Sequence, residues 1–178
     1  MTVNADSIAE LEDQIVAAFA SVPAPPVWCL SGSREGEEPV LLESEFRDAR
    51  DWRSLTPEFL DRAPGGFASA LSFFSDEAFR FYLPAYLLAD LRGQLQRADV
   101  FFHLTHGLDN LARDKPVNPI RYGSRTWFDA MRHRFSIFDK AQREVIARYL
   151  EHRERIADIE PERRAAREAL DNYWRSTT

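Results

Sequence analysis

A single cysteine, Cys29, occurs among the 178 residues, which excludes an internal disulfide and fits a reducing compartment. Glycine is also scarce. The seven glycines form no G-x-G-x-x-G and no Walker pattern, so the sequence offers no glycine-rich phosphate cradle. No H-E-x-x-H pair occurs, and Ser31-Gly32-Ser33 lacks the G-x-S-x-G elbow of an activated serine. The longest mostly apolar run, Phe81 to Ala89, falls well short of the ~18 residues a membrane span needs. The opening stretch MTVNADSIAELEDQIV has no basic region leading into an apolar one, so no signal peptide is expected. The expectation is a soluble, cytoplasmic protein with no membrane partner and no cofactor.

What the chain does have is core-forming material. Hydrophobic residues make up 44% and aromatics 12%, enough for a sizeable apolar interior. The length suits one domain over residues 1–178. The net charge of −6 is unevenly spread. Met1 to Leu60 holds 12 acidic and 4 basic residues, net −8, whereas Arg121 to Thr178 holds 10 against 13, net +3. The plain meaning of such a split is two solvated faces; the sharper one is an acidic surface that steers a basic partner.

Periodicity points to helices. In SIAELEDQIVAAF, Ile8, Leu11, Ile15, Val16 and Phe19 share one face, and Ser7 with Glu10 has capping-box spacing. Pro23, Pro25 and Pro26 open a proline-rich connection over 21–40, within which VWCL reads as a short strand. Leu41 to Trp52 reads as a second helix, and TPEFLDR as a third with Thr56 as its cap. Ser75 caps a helix through Phe79, Leu83, Tyr86, Leu87 and Leu91, apolar on nearly all faces, as a central helix would be. Pro84 has no N–H for the carbonyl of Arg80, so this segment should kink, or break and restart at Pro84. VFFHLT, from Val100, reads as a lone extended stretch, and 105–124 as a long irregular loop. Thr126 to Arg134 suggests a short helix. Asp139 with Gln142 caps a helix running to Ile156, on which Glu144–Arg148 and Glu151–Arg155 are i,i+4 pairs. Pro161 starts a last helix whose apolar face is Ala166, Ala169, Leu170, Tyr173 and Trp174. The expected fold is all-α: a single-domain helical bundle around a proline-kinked central helix, with little or no β.

The segments LSFFSDEAFRFYLPAYLLADL, FSIFDKAQREVIARYL and EALDNYW together resemble a small bacterial family of uncharacterised proteins. Its marks are an F-Y-L-P-A-Y-L core helix and an A-L-x2-Y-W ending. The resemblance spans about Asp51 to Trp174 and implies an α-rich domain of unknown function. It carries over no catalytic residue.

Few constellations suggest chemistry. His103 and His106 would share a helix face at i, i+3 and could hold a cation with Asp99 or Asp109; on an extended strand they would point apart. They are the only metal candidates, and structural histidines are the preferred reading. Cys29 has no assignable histidine partner, and a small buried side chain is its expected role. Basic residues and aromatics interleave from Arg121 to Leu150, a pattern that can grip single-stranded nucleic acid. At this spacing aromatics more often build core, and the acidic whole repels phosphate, so no nucleic-acid partner is expected.

The expected function is therefore non-catalytic: protein–protein interaction, in concrete form an immunity-like or regulatory protein binding a basic partner. The expected contact residues are Glu35, Glu37, Glu38, Glu43, Glu45, Asp48 and Asp51. The alternative is a small enzyme, metal-assisted in one version, with its site near the Pro84 kink and the His103/His106 segment.

Overall fold

The computed structural model describes residues 5–66 and 70–176, and every regular element among them is helical. Two isolated β-bridges, Ser31 to Phe74 and Pro116 to Thr126, are the whole of the described extended pairing. The chain gathers into two compact units, Met1–Val100 and Phe101–Thr178.

In the first unit, α1 (Ala5–Phe19) turns Leu11, Ile15 and Phe19 inward, as its period requires. Ser7 lies inside this helix rather than at its cap, since the helix already includes Ala5. α2 (Glu38–Phe46) begins and ends earlier than expected, because Pro39 suits a first turn and Trp52 belongs to a separate 3-10 turn, Trp52–Ser54. α3 (Pro57–Arg62) starts where expected: the Thr56 hydroxyl accepts from Phe59 N at 3.3 Å. A short α4 (Ala70–Phe73) leads to α5 (Asp76–Leu91), around which α1, α3 and the 52–54 turn pack.

α5 runs unbroken through Pro84, so the alternative of two helices meeting there does not occur. Ser75 Oγ accepts from Ala78 N at 3.1 Å, and Asp76 and Glu77 sit at the positive end of the helix dipole. From Ala78 to Ala89 every residue except Arg80 is buried. Tyr82 sits in a cluster with Phe46, Phe74 and Phe81, ring centroids 4.8–5.0 Å apart, and donates its hydroxyl to Ala49 O at 2.9 Å. Each such large side chain taken from water contributes roughly 1.5–3 kcal/mol, which outweighs the hydrogen bond Pro84 cannot make.

The second unit rests on α9 (Lys140–Ile156) and α10 (Glu160–Ala169), which pack on each other and on a π-helical turn, Leu170–Trp174. The expected apolar face of the last helix, Ala166, Ala169, Leu170, Tyr173 and Trp174, is buried. The wide π turn, closed by Arg175 N to Leu170 O at 2.9 Å, lets Tyr173 and Trp174 both face inward, where Phe135 and Phe138 meet Trp174. The expected Asp139/Gln142 capping box of α9 is formed, and α8 (Trp127–Phe135) opens on a Thr126/Asp129 box that was not expected. Glu151 accepts from Arg175 rather than Arg155, and Glu144 lies 3.8 Å from Lys140. The π turn has brought Arg175 across to α9.

Two segments read as extended are helical. VWCL holds a 3-10 turn, Val27–Cys29, because Pro26 O accepts from Cys29 N and Val27 O from Leu30 N. VFFHLT forms α6 (Val100–Thr105), where the Thr105 hydroxyl donates back to Phe101 O at 2.9 Å. Short apolar runs carry no period long enough to separate strand from buried helix. The segment 105–124 is hydrogen-bonded turn by turn: Asp109 accepts from Leu111 N and Ala112 N, and Asn118 caps a four-residue α7 (Pro119–Tyr122).

Candidate functional site

The proline-rich connection is held rather than loose. Arg50 donates to the carbonyls of Ala24 and Pro25, and the backbone of 29–32 is tied to the start of α5. Ser75 Oγ donates to Cys29 O, Ser75 N to Leu30 O at 3.0 Å, and Gly32 N to Phe73 O at 2.8 Å. With Leu30 buried by this ladder, the 3-10 turn throws Trp28 outward, 73% exposed.

Trp28 lines a shallow groove with Ser33, Arg34, Pro39, Val40 and Glu43, about 240 Å³ in volume. Val40 and Glu43 stand i, i+3 on α2, which brings them to one face. Val40, 66% exposed, shares the groove with the indole, and Leu41, 38% exposed, follows it on α2. Glu35 and Glu37, in the turn between the groove's Arg34 and Pro39, are exposed, and Glu38 and Glu43 are half-buried. Glu43 and Arg34 thus line the groove beside its apolar members Trp28 and Val40, and Glu35, Glu37 and Glu38 belong to the chain segment between Arg34 and Pro39.

Of the seven acidic residues expected to make contact, Glu43 lines the groove, and Glu35, Glu37 and Glu38 lie in the segment joining two of its lining residues, Arg34 and Pro39. The other three do neither. Glu45 turns away and accepts from Gly65 N at 2.9 Å. Asp51 caps the 52–54 turn, accepting from Arg53 N at 3.0 Å with the Arg53 guanidinium 3.5 Å away. Asp48 is exposed in the turn beyond the far end of α2. Trp28, Val40 and Leu41 went unseen in the sequence. The available signal was a tryptophan two residues after a Pro-x-Pro-Pro run stiff enough to hold it away from the core.

The chain belongs to DUF6714. It is a family of unknown function whose model matches residues 7–178, in agreement with the expected domain of unknown function. No curated protein and no solved structure matches the chain. The whole groove lies within the DUF6714 span.

The remaining candidates in this DUF6714 chain occupy quieter settings. Partial burial pushes the Cys29 thiol up; the Ser75 hydroxyl, 3.8 Å away, opposes this, and the Glu77 carboxylate, 3.5 Å away, adds to it. A thiol held protonated is a poor nucleophile. Burial, with Arg134 and His106 adding to it, pushes His103 down to about 4, so it is neutral at physiological pH. His106 is also lowered, chiefly by burial, and its ring stacks on Phe102 at 4.7 Å with Trp127 edge-on at 4.8 Å. Among the described residues, no group of three or more His, Cys, Asp and Glu could hold a metal ion. Around Pro84 the side chains are closed in. The concavity touching α5 there, lined by Trp52, Ala85, Leu88 and Ala89 among others, holds about 70 Å³. Small-molecule sites generally need about 300–1,000 Å³. No described helix is long and apolar enough to cross a membrane.

Proposed function

We propose that this DUF6714 chain is a non-catalytic interaction protein that docks a basic protein segment along the Trp28 groove. In concrete form it is an immunity-like or regulatory bacterial protein of the cytoplasm that covers a cationic surface of its partner. The observation that carries the reading is the exposed indole of Trp28, 73% open in a groove lined by Glu43 and crossed by a segment that carries Glu35, Glu37 and Glu38. An exposed tryptophan beside an aliphatic side chain is the composition of an interface anchor, and the carboxylates choose the sign of what approaches. The partner segment would offer lysine or arginine flanking one aromatic or aliphatic side chain that covers the indole.

Panning a random peptide library on the purified protein tests this. The selected peptides should be rich in Lys and Arg around an apolar residue, and Trp28→Ser should weaken them about 30-fold, the loss of about 2 kcal/mol typical of an anchor. Neutral or acidic peptides, or basic ones that bind Trp28→Ser as well as the parent, would remove the proposal.

A further inference from the structure

The second unit carries a larger concavity, unrelated to the acidic groove. α9 buries Gln142, Val145, Ile146, Tyr149 and Leu150 on one side. Its other face, at i, i+3, i+4, i+7, i+8 and i+11 from Lys140, lines an open groove of about 630 Å³. The C-terminal residues Trp174, Arg175 and Ser176 close it on one side. That volume is in the range of small-molecule sites. Phe138, Ala147 and Trp174 supply apolar surface, and Lys140, Arg143, Arg148 and Arg175 face two carboxylates, Glu144 and Glu151.

The charges are arranged as well as counted. Glu151 is engaged by Arg175, with contacts of 3.2 and 3.0 Å, and Glu144 lies 3.8 Å from Lys140. Both groove carboxylates therefore have a cation already. Arg143 is fixed by neutral partners instead: it donates to Tyr173 O at 3.3 Å and Ser176 O at 3.0 Å, with its guanidinium 4.8 Å from the Tyr173 ring centre. A guanidinium held by carbonyls and an aromatic face is already positioned before a ligand arrives. That is the condition under which a fork of N–H donors binds a carboxylate well.

We infer that this groove binds a small amphiphilic carboxylate, its apolar body along Phe138, Ala147 and Trp174 and its anionic end toward Arg143, with Arg148 on the rim. Dodecanoate, kept below its micellar concentration and titrated by calorimetry into the full chain, is the probe. One molecule should bind per chain, more weakly as salt rises. Dodecanol, with the same chain and no charge, should bind about tenfold more weakly or worse, as expected when a charge-assisted hydrogen bond is lost. Arg148→Glu, on the exposed rim, should cost about as much, and Ala147→Phe, which fills the floor, should abolish binding. Trp28→Ser should change nothing, which separates this site from the acidic groove. Circular dichroism verifies that each variant folds; if Ala147→Phe does not, Arg148→Glu carries the test alone. No saturable binding, equal binding of dodecanol, or undiminished binding to Arg148→Glu would overturn the assignment.

Discussion

Two tyrosines one helical turn apart meet opposite fates. Tyr82 and Tyr86 are both about 1% exposed, yet Tyr82 donates to Ala49 O while the Tyr86 hydroxyl has no hydrogen-bond partner among the described residues. Burial pushes the Tyr82 phenol up to about 12, with Arg50 opposing, and raises Tyr86 further, with Asp61 and Tyr82 adding to it. A hydroxyl buried without a partner costs stability that phenylalanine would not. Tyr86→Phe should therefore be neutral or stabilising by up to about 1 kcal/mol, and Tyr82→Phe should cost about 1 kcal/mol, both read from urea unfolding. Asp61 gives a second residue-scale test. Its carboxylate accepts from Gln96 N, Arg97 N and Ala98 N at 2.6, 3.0 and 2.9 Å. Partial burial pushes its pKa up, but these three bonds together with Arg97 outweigh that, and it lies below the ordinary 3.8. Between the lowered value and 3.8 the unfolded chain binds more protons than the folded one. The stabilisation is thus complete above 3.8 and fades as pH falls through that value toward the folded pKa. Asp61→Asn should cost about 1–2 kcal/mol at pH 7, a modest figure because the carboxylate is partly solvated, and the gap to the parent should narrow at pH 3.

Among the elements, those that announce themselves by caps and period were legible in the sequence. Ser75, Thr56 and Asp139 all cap helices as expected, whereas Ser7 does not, and the buried face of the last helix follows its spacing. What failed was short and apolar. VWCL and VFFHLT have β-forming composition, but their backbones are settled by distant partners: Ser75 Oγ on Cys29 O for the first, and the Trp174 indole N–H on Leu104 O at 3.0 Å for the second. The site divides in the same way. Its carboxylates could be counted in the sequence, but that Glu45 and Asp51 serve the fold, and that Trp28 faces out, depends on contacts 20 or more residues away or on local caps. Ser75 joins the two levels, since one hydroxyl caps α5 and holds the turn that presents Trp28. Ser75→Ala should cost about 1–2 kcal/mol, a lost cap plus a freed carbonyl. It should also loosen the 27–29 turn, seen as weaker peptide docking at the Trp28 groove with α5 itself still formed by circular dichroism.

At the scale of the molecule, the charge follows the division into units. Met1–Val100 holds 17 acidic and 8 basic residues, net −9, and Phe101–Thr178 holds 12 against 15, net +3. A field of that size acts before contact, whereas the indole acts only after it, so the two contributions to docking separate kinetically. Trp28→Ser removes packed surface and should act mainly on the dissociation rate of a selected basic peptide. Reversing Glu37, Glu38 and Glu43 together to lysine changes the net charge by +6 while leaving the apolar strip in place. It should slow association about tenfold or more at low ionic strength, with the difference shrinking as salt shortens the Debye length to about 8 Å near 0.15 M. Because Glu37 and Glu38 sit at the positive end of the α2 dipole and Glu43 is half-buried, the triple variant should lose about 1–2 kcal/mol in urea unfolding, and its rates are read where it is fully folded. Stopped-flow association across a salt series distinguishes the roles. Should the triple reversal leave the association rate and its salt slope unchanged, the carboxylates steer nothing, and Trp28 would have to select its partner by shape alone.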